Sequence, residues 1–151
     1  MALLWVLQVS AYMPPSQTDD WATPMWLFNQ LDAIHHFDLD AAASATNRKC
    51  NKWFGLDHED PERRDALAHQ WTGQSVWVNP PYGRVIKDWI IKADQESSLR
   101  KIVMLLPART DTAWFHDYAT KHQVTFLRGR LKFGNSATAA PFPSMIVEMK
   151  P

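Results

Sequence analysis

The chain has 151 residues, 46% of them hydrophobic, which suits one domain with its own core. Its single cysteine, Cys50, excludes an internal disulfide, fits a reducing cytoplasm, and leaves no cysteine–histidine spacing suited to zinc. The formal net charge is zero, yet residues 1–75 carry 5 Lys and Arg against 10 Asp and Glu, while residues 76–151 carry 11 against 6. A basic C-terminal half suits a polyanionic partner, and it is equally compatible with a chance distribution of solvated charge.

The opening stretch, MALLWVLQVSAYMPP, is apolar but has no basic flank or small-residue cleavage site. It is too short for a bilayer span, which takes about 20 residues, and reads as a packed edge element. The polar, proline-bounded PPSQTDDWATP leads into a helix over Met25–Ile34, where Trp26, Leu27, Leu31 and Ile34 recur at helical spacing after Pro24. Phe37–Ala43 (FDLDAAA) reads as a strand ending in small residues, and Thr46–Phe54 as a short helix behind it. Asp57–Asp65 is dense in charge and expected to face solvent.

Ser75–Val78 is the next strand, and Asn79-Pro80-Pro81-Tyr82 follows it. Neither proline has an N–H to donate, and each holds the residue before it extended. The strand therefore stops, with Asn79 at its C-terminal end, where ligands bind in open α/β sheets. Val85–Lys92 reads as a helix with Val85, Ile86, Trp89 and Ile90 on one face. Lys101–Leu106 (KIVMLL) is a continuous apolar run, expected of a strand buried on both faces. A PARTDT loop, a helix over Ala113–Lys121, and strands at Val124–Leu127 and Ser144–Met149 complete the chain, the last two joined by the long connection Arg128–Pro143. Strands alternating with helices predict an α/β fold with a mainly parallel sheet and an antiparallel C-terminal strand pair.

The turn at Asn79 carries the chemistry. Its side-chain carbonyl is an acceptor, and the neighbouring proline fixes the direction of a backbone carbonyl. Two convergent acceptors can hold an –NH2 group. An exocyclic amine on a base is a poor nucleophile because its lone pair is delocalised into the ring. Accepting both its hydrogens favours a tetrahedral nitrogen with the lone pair free. Tyr82 offers a flat face for a planar base, a stacking worth about 1–3 kcal/mol. The pairs His35-His36 and His58-Glu59-Asp60 read as solvated polar clusters rather than metal ligands, and no metal is expected. Cys50 has no visible partner base and does not read as a nucleophile.

NPPY after a strand resembles the catalytic motif of S-adenosylmethionine-dependent amino-methyltransferases. The chain as a whole is similar to the phage-type DNA N6-adenine methyltransferase (Dam) family. The resemblance is carried by DDWATPMWLF, FDLDAAASATNRKC, VWVNPPYGRVIKDWI, LLPARTDTAWFH, FLRGRLKF and APFPS, from Asp19 to Met149. It implies a compact Rossmann-like methyltransferase fold, residues 1–151 forming a single minimal domain without a separate target-recognition domain. It also implies S-adenosylmethionine as cofactor, DNA as partner, no membrane, and the cytoplasm of a bacterial host under phage or prophage control.

Site residues follow from the same resemblance. Thr23 and Pro24, with Trp21, fall at the methionine end of the cofactor. Asp38, Asp40, Ala42, Ser44 and Asn47 lie in and after the stretch that replaces a glycine-rich cofactor loop, with Asp40 toward the ammonium or ribose. Here the small residues are Ala41, Ala42, Ala43 and Ser44, so no free positive-φ position is supplied. Asp65 and Leu67 resemble the acid–x–Leu that caps the cofactor's adenine. Asn79 and Pro80 would hold the target amine beside the cofactor, Pro81 completes the catalytic turn, and Tyr82 would stack on the target base. Phe133 resembles a second aromatic that clamps an extruded base. Arg84, Arg109, Arg128, Arg130 and Lys132 fall to DNA, with Arg128–Pro143 as the main contacting element. The implied reaction flips adenine from the stack and transfers the methyl group in line, without a metal or covalent enzyme intermediate.

Plainer readings stand beside these. NPPY can be a strand-to-helix turn, Asp40 a structural turn residue, Asp65 a capping group, Phe133 a core residue, and the basic side chains surface charge. NPPY also occurs in methyltransferases of protein glutamine and of RNA bases. The alanine-rich loop keeps an inactive cofactor- or DNA-binding relative in view. A small subunit contacts few base pairs, which favours a homodimer.

Overall fold

Three runs dominated by apolar side chains form the centre of the molecule: Ser75–Val78, Lys101–Pro107 and Ser144–Met149. In a computed structural model, which describes residues 21–134 and 136–151, they are strands β2, β3 and β5. The N-terminal stretch read as an edge element lies outside the described residues. A short β1 (Leu39–Asp40) and the exposed β4 (Gln123–Phe126) flank them in the order β1-β2-β3-β5-β4. Helices α1 (Met25–His35), α2 (Ile86–Glu96) and α3 (Ala113–Asp117) connect or precede the strands, and single 3-10 turns occupy Pro61–Arg63 and Ala119–Lys121.

The fold is α/β, but the sheet is mixed rather than mainly parallel. β1–β2 and β2–β3 are parallel, whereas β3–β5 and β5–β4 are antiparallel. The reason is the placement of β5. It runs reversed between β3 and β4, pairing Leu106 with Met145 and Met104 with Val147, all buried. The expected antiparallel C-terminal pair is present, and the same reversed strand turns the β3 edge antiparallel as well.

Both faces of β3 are covered, as its uninterrupted apolar run requires. On α2, Ile86, Trp89, Ile90 and Ala93 are buried, each large side chain contributing about 1.5–3 kcal/mol. Helix α1 forms where expected and buries Leu27, with Leu31 packed on the core, but Phe28 packs inward while Trp26 and Ile34 are 57% and 69% exposed. His35, expected in water, is buried at its end, with Nε2 3.0 Å from Glu148. Burial and the neighbouring Lys101 lower its pKa.

Thr46–Phe54 is not a helix. Local side-chain bonds outcompete helical ones: Asn47 Oδ1 accepts from Ser44 N at 2.7 Å, and Asp40 Oδ2 accepts from Lys49 N at 3.0 Å. The chain then runs alongside β1, with Asp40 N donating to Lys52 O and Phe54 N to Asp40 O. In the register of β1 on β2, Asp40 lies beside Trp77, so Ala41–Ser44 and Asn79–Tyr82 leave the sheet at the same edge.

Candidate active site

A cavity of about 900 Å³ opens at that edge. The Asp40–Ser44 stretch, the Asp65–Leu67 turn and the Asn79–Tyr82 turn line it, and Trp21 and Thr23 reach in from the segment before α1. The structure thus brings together Trp21, Thr23, Asp40, Ala42, Ser44 and Asn47 with Asp65, Leu67 and the whole NPPY turn. Pro24 is buried outside the lining. Asp38 is directed elsewhere: its carboxylate accepts from Gln74 N at 3.0 Å and Ser75 N at 3.2 Å, tying the start of β2 to the chain before β1.

Asp40 is 3% exposed, and burial raises its pKa to about 6. Backbone N–H groups of Lys49 and Ala42, and the Lys49 charge, oppose that shift. Desolvation exceeds what two amides return, so the group is poised to respond to a cation or hydrogen-bond donor in the cavity. The neighbouring wall is held by close approach. Ala43 N donates to Phe54 O at 2.8 Å, and a Cβ on Gly55 would collide with the Ala43 carbonyl. Asp65 caps its own turn, accepting from Leu67 N at 3.1 Å, and Trp71 Nε1 holds that turn through Ala66 O at 2.8 Å. Asn47, expected to contact a cofactor, spends its side-chain carbonyl on Ser44 N.

At Asn79 the geometry is most specific. Nδ2 donates to Trp21 O at 2.8 Å and to Thr23 Oγ1 at 3.0 Å. A backbone carbonyl can only accept, so this contact settles which end of the amide is nitrogen. Oδ1 is buried, with no partner among the described residues. An unpaired buried acceptor costs about 1–3 kcal/mol, a cost that any donor reaching it would relieve. Four residues on, the turn closes at Gly83, whose φ of 107° only glycine adopts readily.

Tyr82 is enclosed rather than open. Trp21 lies across it with ring centroids 6.4 Å apart and planes 28° from parallel, and Phe133 and Phe142 meet it edge-on at 6.3 and 5.5 Å. Burial raises the pKa of its hydroxyl, and Arg109 partly counteracts this. Phe133 is thus a core residue that packs against Tyr82 from behind the cavity lining, and Phe142, a second such neighbour, was not singled out from the sequence. Arg84, Arg128, Arg130 and Lys132 are exposed and Arg109 half-buried; none makes an ion pair among the described residues. Leu131 and Phe133 point inward, so the basic side chains of this connection face water.

Sequence reasoning also missed Lys49, Asp57 and Arg64, which line the cavity. Asp57 accepts from Ala45 N with both carboxylate oxygens at 3.1 Å. Its signal was hidden in a charge-dense loop expected only to be solvated. Among the described residues no three His, Cys, Asp or Glu side chains are placed to hold a metal. Burial pushes the Cys50 thiol up to about 12, which makes it a poor nucleophile.

Residues 10–150 match the family model described as DNA N-6-adenine-methyltransferase (Dam). A protein of Haemophilus phage HP1, named DNA N-6-adenine-methyltransferase, is 31% identical over 147 residues, covering 90% of this chain and 81% of the relative. A protein of Escherichia phage T1 with the same name is 36% identical over 106 residues, covering 68% of this chain and 41% of that protein.

Proposed function

The chain belongs to the DNA N-6-adenine-methyltransferase (Dam) family, and from that premise we propose that it transfers a methyl group from S-adenosylmethionine to the N6 amine of adenine in DNA. The observation that carries the reading is the Asn79 amide. Both its hydrogens are engaged, and its carbonyl is buried and unpartnered at the edge of a large cavity.

The residues present suit the cofactor. The cavity is lined from Asn79 past Asp40 to Asp65, and its wall at Ala43 packs too closely on Gly55 to admit a Cβ there. Asp40 suits an ammonium or ribose hydroxyl, and Asp57 and Asp65 add acceptors for hydroxyl or amine donors. When bound, S-adenosylmethionine supplies a methyl group on an electrophilic sulfonium.

The chain's own part is orientation. Asn79 Oδ1 and the Pro80 carbonyl accept the two hydrogens of the target amine. That withdraws the nitrogen from conjugation with the ring and leaves its lone pair free for bond formation. Oriented acceptors that need not reorganise supply most of the rate enhancement. A base cannot reach this depth inside a duplex, so it is flipped out. It stacks on Tyr82 by replacing the Trp21 ring contact, with Phe133 and Phe142 supporting the tyrosine ring from its edges. Arg84, Arg109, Arg128, Arg130 and Lys132 hold the phosphates on either side. The Rossmann-like arrangement of the sheet, a single domain and a homodimer on DNA belong to the same reading.

The test is transfer of labelled methyl to unmethylated plasmid DNA, RNA and protein in parallel, with products resolved. Label recovered as N6-methyladenine in DNA supports the reading. Label confined to RNA or protein overturns it.

A further inference from the structure

The family resemblance assigns Thr23 to the cofactor, but its hydroxyl oxygen already serves Asn79. Thr23 is buried at 5% exposure, and its Oγ1 accepts the Asn79 Nδ2 hydrogen bond at 3.0 Å. The second Asn79 hydrogen goes to the Trp21 carbonyl, two residues earlier on the same strap. An amide group is planar, so fixing both of its N–H directions fixes where its carbonyl points. The strap is itself anchored. Ala22 O accepts from Gly134 N at 2.8 Å, and Pro24 holds Thr23 extended before α1 begins.

We propose that Thr23 is a positioning residue for the catalytic amide: it aims Asn79 Oδ1 at the target amine, rather than serving chiefly as a cofactor contact. This rests on the acceptor role of Asn79. Without the Thr23 acceptor, one amide hydrogen is left unpaired inside the protein, and the side chain can rotate or exchange its ends. Either motion swings a donor toward an amine that needs an acceptor. The loss falls on the chemical step, because the rest of the cavity wall is untouched.

The experiment compares the wild-type chain with Thr23→Val, Thr23→Ser and Asn79→Ala. Cofactor dissociation constants come from calorimetry, and kcat for methyl transfer to DNA is measured at saturating cofactor. Thr23→Val keeps shape and burial while deleting the acceptor. It should lower kcat by about tenfold with cofactor affinity within about twofold of wild type. Thr23→Ser restores the acceptor and should recover most of kcat. If Thr23→Val does not fold, Thr23→Ala against Thr23→Ser reads the same split.

Weaker cofactor binding with unchanged kcat would overturn the proposal and return Thr23 to the cofactor. So would full activity of Thr23→Val, or failure of the serine to recover the rate. If Asn79→Ala retains full kcat, the acceptor reading itself fails, whatever Thr23 does.

Discussion

Replacing Gly55 by alanine tests how tightly the cavity wall is built. The φ of Gly55 is not in the left-handed region, so the perturbation is contact rather than torsion. A Cβ there would overlap the Ala43 carbonyl oxygen, lie 2.9 Å from Ala43 C and 2.7 Å from Trp53 Cζ3. The carbonyl is backbone and cannot swing aside. Relief requires the Ala43–Ser44 wall to move off the Lys52–Gly55 segment, straining Ala43 N to Phe54 O at 2.8 Å and Phe54 N to Asp40 O at 2.9 Å. Two backbone bonds at about 1 kcal/mol each, with some lost packing, give a destabilisation of about 2–3 kcal/mol. For a chain of this size that lowers Tm by about 5–10 °C. The displaced wall belongs to the proposed cofactor site, so S-adenosylmethionine affinity should fall about tenfold or more. Thermal unfolding and calorimetric titration on the same preparation read both effects. A Gly55→Ala protein with wild-type Tm and wild-type affinity would refute the close-approach argument.

The pKa of Asp40 carries two pH effects. It is raised from 3.8 to about 6, so the folded state holds that proton more tightly than the unfolded chain does. Its contribution to stability is therefore full below pH 3.8 and lost as pH rises through about 6. Cofactor binding through the ionised carboxylate runs the other way. Affinity should drop on acidification through about pH 6 and become flatter in Asp40→Asn, as calorimetry across that range would show. A flat wild-type profile would remove Asp40 from the cofactor contacts. Charge reversal at Arg128 and Arg130 together should weaken DNA binding and reduce the slope of log affinity against log salt by about 2. Unchanged binding and slope would move the DNA surface away from the 128–143 connection.

Much of this architecture was legible because the informative residues are local. Ser75–Val78 and Lys101–Leu106 are apolar enough that nothing but a buried strand suits them, and Pro80-Pro81 stops β2 by chemistry alone. The position of Asn79 at the end of β2 was legible for the same reason. What the sequence could not show depended on distant partners. Thr46–Phe54 has passable helical character, yet Asp40, Ser44 and β1 take its backbone groups. In α1, the stripes Trp26–Ile34 and Leu27–Leu31 are both compatible with helical spacing, and only the position of the sheet decides between them. The mixed sheet depends on where β5 inserts, and no local pattern records that. Asp38 just precedes β1 and Asp40 ends it, yet one clamps β2 and the other lines the cavity.

The most direct measurement is labelled methyl transfer from S-adenosylmethionine to unmethylated DNA by the wild-type chain and by Asn79→Ala, at saturating cofactor and with nucleosides separated. Label in N6-methyladenine is expected for the wild type, with a loss of about 100-fold or more for the variant. Label in a cytosine product, or a variant as fast as the wild type, would contradict the proposed reaction.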